Sequence, residues 1–132
     1  MKDIFNAEVL HNFTGLDGKH FSAGGEEGQY IFSLCINYFN PLGNKQAGKK
    51  KSISLISMVC LNLPPEMRYK PENMFLFCII PGLNVFTLAC FNHYLHILIK
   101  ELLEFWYSGI RFSCMSACYY GRVARCALMC GF

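Results

Sequence analysis

Residues 29–39 (QYIFSLCINYF) and 52–63 (SISLISMVCLNL) decide how this chain is read. In the first, Tyr30, Phe32, Leu34 and Ile36 alternate with Ile31, Ser33 and Cys35, a two-residue period that sends successive side chains to opposite faces of a sheet. Both sets are largely apolar, so a strand buried on both faces is expected. Phe39, Asn40, Pro41, Leu42, Gly43 and Asn44 then supply residues that set turns. In the second stretch, Ile53, Leu55, Ser57, Val59 and Leu61 alternate with Ser54, Ile56, Met58 and Cys60. Pro64 and Pro65 end it, because proline lacks the ladder N–H and fixes φ. Residues 66–73 form a polar connector, and residues 74–80 (MFLFCII) read as a third strand bounded by Asn73 and Pro81. Three consecutive strands joined by turn-rich segments predict an antiparallel meander.

Outward from this meander the period changes. Leu88, Phe91, Leu95, Leu98, Leu102, Phe105 and Trp106 follow one stripe at helical spacing, with Lys100, Glu101 and Glu104 off it. The helix is expected to start after Asn84 or Thr87 as cap and to stop near Gly109. Residues 110–114 suit a short edge strand. Residues 121–130 (GRVARCALMC) fit a strand or a helix equally, since ten residues do not decide the period. On the other side, residues 1–27 hold Gly15, Gly18, Gly24 and Gly25, which interrupt any periodicity, so a loop-rich lead-in with one short strand is expected there. The folded unit then covers residues 28–130.

Composition narrows the classes. Among 132 residues, 53% are apolar and 15% aromatic, with a formal charge of only +3, which excludes a chain held open by charge. The charged share of 16% lies below the roughly 25% of ordinary soluble domains, a sign that partners or further chain cover part of the surface. The excess of bases is local: no acid lies between Glu27 and Glu66, whereas Lys45, Lys49, Lys50 and Lys51 do, and after Glu104 only Arg111, Arg122 and Arg125 carry charge.

The eight cysteines would suggest a disulfide framework only with a secretory signal, and residues 1–10 carry Asp3 and Glu8 in place of an apolar signal core. Cys35, Cys60, Cys78 and Cys90 sit in apolar runs and read as reduced, buried thiols. Cys114, Cys118, Cys126 and Cys130 show C-x3-C spacing, away from the usual zinc spacings, and His93 and His96 lie in the amphipathic stretch, so no metal site is assigned. Residues 73–99 contain no Asp, Glu, Lys or Arg, as a membrane span would. Pro81 and Gly82 divide them into a strand-length piece and a half-polar helix, which leaves a small membrane protein using residues 74–99 as an alternative only.

Five separated segments resemble the transposase of CACTA-type (En/Spm-like) eukaryotic DNA transposons. They are the FNPLGN turn at 39–44, SLISMVCLNLPPEMRYK at 54–70, ENMFLFCIIPG at 72–82, NHYLHILIKELLEFWYSGIRF at 92–112 and GRVARCALMC at 121–130. They occur in the family's order over roughly residues 17–130. The resemblance implies an α/β fold, here a partial ribonuclease-H-like unit: a three-stranded antiparallel meander, a long amphipathic helix and a short further strand or helix. It also implies DDE chemistry, in which Asp, Asp and Glu hold two magnesium ions for strand nicking and joining.

The family's first catalytic Asp stands at the end of the first strand, and the matching residue here is Asn37. An amide oxygen is a far poorer magnesium ligand than a carboxylate. The second Asp resembles one a few residues past the strand at 126–128 and the third lies farther downstream; neither is present, and Asp3 and Asp17 fall in the lead-in. The expectation is therefore a degenerate transposase fragment that is not an enzyme, has no catalytic residues and no cofactor of its own, takes no small-molecule substrate and is nuclear. DNA, bound weakly and without sequence preference, is the expected partner, through Lys45, Lys49, Lys50 and Lys51, which keep their family position and would neutralise phosphates. A non-catalytic DNA-binding remnant is the corresponding alternative. Tyr119, Tyr120, Arg122 and Arg125 interleave aromatic and basic residues in a way that suits single strands, although aromatics in so aromatic a chain are more often core.

Overall fold

The computed structural model describes residues 7–21, 26–40, 53–81, 88–113 and 119–129. Strands β1 (Gly28–Phe39), β2 (Ile53–Cys60) and β3 (Met74–Pro81) form the expected antiparallel meander. After helix α3 (Leu88–Tyr107; α1 and α2 are described below), β4 (Ile110–Phe112) and β5 (Arg122–Met129) add to the other side of β1, giving one five-stranded sheet in the order β3-β2-β1-β5-β4. β5 runs parallel to β1 and β4 antiparallel to β5, so the fold is mixed α/β. Parallel neighbours need a long crossover, and α3 supplies it.

Residues 121–130, open between helix and strand in the sequence, are thus a strand from Arg122 to Met129. Its Ala124, Cys126 and Ala127 are buried, and pairing with β1 on one side and β4 on the other satisfies a backbone that a lone segment would leave unpaired. β4 is an edge strand, as expected, with all three residues exposed.

Period-2 alternation separates two cores. On one face Ile56, Met58 and Ile80 pack with Leu98 of α3, flanked by Phe32, Leu34, Phe91 and Leu102. On the other, Ile31, Leu61 and Ala127 meet Leu10 and Phe21 from the lead-in. That lead-in contains a short helix, α1 (Glu8–Asn12), and a single bridge between Thr14 and His20, where one short strand was expected. Phe13, Phe21 and Trp106 form an aromatic cluster with ring centroids 5.3–5.7 Å apart, so the end of α3 reaches this core too.

α3 stops at Tyr107 because Gly109 adopts φ +71°. A Cβ there would come within 3.0 Å of Val123 Cγ1 and 3.1 Å of the Ala124 carbonyl, so both conformation and space require glycine. The connector 66–73 is more ordered than its polarity suggests: Pro65 opens a one-turn helix, α2 (Pro65–Arg68), and a 3₁₀ turn follows at Pro71–Asn73. Met74–Pro81, the first part of the alternative membrane segment, is paired strand, and no helix among the described residues is long and apolar enough to cross a membrane.

Candidate functional site

Asn37 lies near the C-terminal end of β1, opposite Leu55 of β2, and is exposed. Its Nδ2 donates to Cys35 Sγ, two residues back on the same face, at 3.5 Å. The strand pair Phe39 and Ile53 brackets the connector that carries Lys45, Lys49, Lys50 and Lys51; these four lie outside the described residues. Neighbouring β5 runs in the same direction as β1, with Met129 level with Ser33. The end of β5 is therefore directed toward the level of Asn37.

The acids of the described lead-in are elsewhere. Asp17 and Glu27 line a cavity of about 190 Å³ together with Gln29, Trp106 and Arg125. Glu27 precedes the start of β1, and at about 3.3 Å per residue the ten residues to Asn37 span on the order of 33 Å. Glu27 is also engaged: Arg125 Nε donates to its Oε2 at 2.8 Å. Among the described residues no group of three His, Cys, Asp or Glu side chains is arranged to hold a metal ion.

Of the four cysteines in C-x3-C pairs only Cys126 is described. It is buried, its Sγ sits 3.8 Å from the Leu102 carbonyl, and burial pushes the thiol up to about 11. A thiol so disposed ties α3 to the sheet and resists forming the thiolate that zinc or a nucleophilic role needs. Cys35, Cys60 and Cys78 are free and half-buried, and burial raises the Cys78 thiol as well. Cys114, Cys118 and Cys130, and the Cys90 side chain, lie outside the described residues. His93 and His96 are exposed on α3.

The Tyr-Tyr-Arg-Arg interleaving divides in two. Arg122 donates from Nε to the Glu26 carbonyl and from Nη2 to the Glu27 carbonyl, at 2.6 and 2.7 Å. Arg125 donates from Nη1 to the Trp106 and Tyr107 carbonyls, where a cation also complements the C-terminal end of the α3 dipole. Both arginines fasten β5 to neighbouring elements. Tyr119 and Tyr120 face the other way: they are 83% and 89% exposed, which corrects the expectation that such aromatics are core. Arg68 was hidden by its polar surroundings. It is only 3% exposed and donates to the Leu61 carbonyl at 2.7 Å and to the Leu63 carbonyl at 2.9 Å.

No protein-family model, curated protein or solved structure matches the chain.

Proposed function

We propose that this chain is a degenerate, non-catalytic relative of the CACTA-type DDE transposases, built on the first part of a ribonuclease-H-like core and keeping a nonspecific affinity for DNA. The observation that carries the reading is the parallel pairing of β1 with β5, which directs both C-terminal ends to the same side of the sheet, with β5 pairing as far as Ser33. Two metal ions bridging one phosphodiester need carboxylates from neighbouring strand ends, and ligands in open α/β sheets gather outside the carboxyl ends of strands. Asn37 occupies that position on β1. Its amide keeps the carboxylate's shape without its charge, and its NH2 group is a donor where a cation requires an acceptor. In this reading Lys45, Lys49, Lys50 and Lys51, which lie between Phe39 and Ile53 in the chain, hold phosphates, and the protein is nuclear.

The test pairs a supercoiled-plasmid nicking assay in magnesium or manganese with duplex binding measured against salt. No metal-dependent nicking is expected. Four phosphate contacts should weaken binding about 100-fold between 50 and 200 mM salt, and alanine at the four lysines should remove that dependence. Nicking that disappears with Asn37→Ala would overturn the non-catalytic reading, as would tight stoichiometric manganese uptake by calorimetry. Duplex binding unaltered by the lysine replacements would overturn the DNA-binding part.

A further inference from the structure

We infer that the cavity walled by Asp17, Glu27, Gln29 and Trp106 is a binding site for a small primary ammonium ion, an amine head group on a short apolar stem; the inference is independent of the DNA reading above. The cavity holds about 190 Å³ and is also lined by Gly15, Phe21 and Arg125. It brings together the lead-in, the start of β1, the end of α3 and β5.

Charge selects the sign of the ligand. Two carboxylates and one guanidinium line the cavity. The guanidinium is already committed: Arg125 Nε donates to Glu27 Oε2 at 2.8 Å, and its Nη1 donates to the Trp106 and Tyr107 carbonyls. Asp17 is left over. Among the described residues it forms no ion pair, and its Oδ1 accepts the Lys19 backbone N–H at 3.1 Å. The lining therefore carries a net negative charge that a cation would offset.

The neutral lining decides which cation. Gln29 Oε1 is buried and has no donor among the described residues, an unmet acceptor of a kind that folded chains rarely leave. A ligand carrying N–H groups answers it. Phe21 and Trp106, with ring centroids 5.3 Å apart, supply an apolar wall for a carbon stem, and aromatic surfaces attract an ammonium head. A hard metal ion is served poorly, because it needs converging oxygens and no three acidic, His or Cys groups come together among the described residues. Size limits the stem to a few carbons, since about 190 Å³ lies below the roughly 300 Å³ at which drug-sized sites begin. Gly15 keeps the space open: a Cβ there would lie 3.1 Å from Asp17 Oδ1 and 3.5 Å from Phe21 Cδ2.

Trp106 is the only tryptophan of the chain, so its emission reports on the cavity. The experiment follows that emission while the full chain is titrated with butylammonium chloride at constant ionic strength. A saturable change is expected, with a much weaker response to 1-butanol, butyrate and tetramethylammonium, which lack the charge, reverse it or lack N–H donors. Asp17→Asn keeps an acceptor for the Lys19 N–H and removes the charge alone; it should weaken butylammonium binding about fivefold. Gly15→Ala should weaken it by occupying space with every charge in place, and if that chain does not fold, Asp17→Asn at its exposed position decides alone. Absence of a saturable response in the parent, an unaltered affinity in either folded variant, or an equal affinity for 1-butanol or tetramethylammonium would each overturn the inference. Nα-acetyllysine methylamide carries the same head on a peptide backbone: tighter binding than butylammonium makes a partner's lysine the source of the ammonium group and weaker binding a free amine, with the site upheld in both cases.

Discussion

The two faces of the sheet are covered in different ways. One is closed by a single long element, α3, whose Leu98 and Leu102 lie over Ile56, Met58 and Ile80. Among the described residues the other is closed at one end, where Leu10 and Phe21 from the lead-in sit on Ile31, Leu61 and Ala127, and Leu76 and Ile79 of β3 are 50% and 57% exposed. A helix carries its own periodic apolar stripe to the sheet. A glycine-interrupted segment contributes isolated anchors, each of which has to be held by something distant.

The largest expected effect asks whether the lead-in is an appendage or part of the core. Phe21 is 2% exposed and touches Phe13 and Trp106, so Phe21→Ala should cost about 3–5 kcal/mol, comparable with the 2–5 kcal/mol expected of Leu98→Ala on the helix side. Urea unfolding of both variants decides this; a Phe21→Ala midpoint equal to the parent's would reduce the lead-in to an ornament.

Arg68 sharpens the same contrast at the rim of the lead-in core, since it holds the carbonyl of Leu61, a member of that cluster. Arg68→Met keeps the aliphatic bulk but orphans that carbonyl, at a cost of about 1–3 kcal/mol. An unchanged unfolding midpoint would mean that water replaces the guanidinium.

The smallest effect belongs to the helix side and depends on pH. Cys126 holds its proton more tightly in the folded chain than in the unfolded one, because burial disfavours the thiolate. Its contribution is complete below about pH 9 and is lost as pH rises toward 11, since unfolding then releases a proton. Urea titrations at pH 8 and pH 10.5 should show a decline in the parent that Cys126→Ala reduces; parallel declines would place the alkaline sensitivity in other groups.

Much of the sheet was legible in the residues. β1, β2 and β3 announce themselves because an alternating pattern depends only on neighbours two positions apart, and α3 because its stripe repeats over five turns. Asn37 was recognisable as a strand-end position for the same reason. β5 was not, because apolar and polar positions in so short a run satisfy either period until β1 provides a partner. Phe21 stands among glycines with no pattern to mark it, and its burial depends on Trp106. Arg68 reads as surface in PPEMRYK, yet is buried because a one-turn helix aims it at two carbonyls. Of four interleaved residues, Arg122 and Arg125 turned inward because carbonyl groups await them, whereas no described residue covers Tyr119 and Tyr120.

Local alternation and spacing, written into neighbouring residues, were enough to set where the chain extends, where it coils and which residues could face a core. Which strands become neighbours, and whether a polar or aromatic side chain is fastened or left bare, depended on groups far apart in the chain: Arg122 reaches the Glu27 carbonyl across 95 positions. Such pairings follow from closing the whole sheet around α3, because a backbone or guanidinium group is satisfied only by the partner that folding delivers.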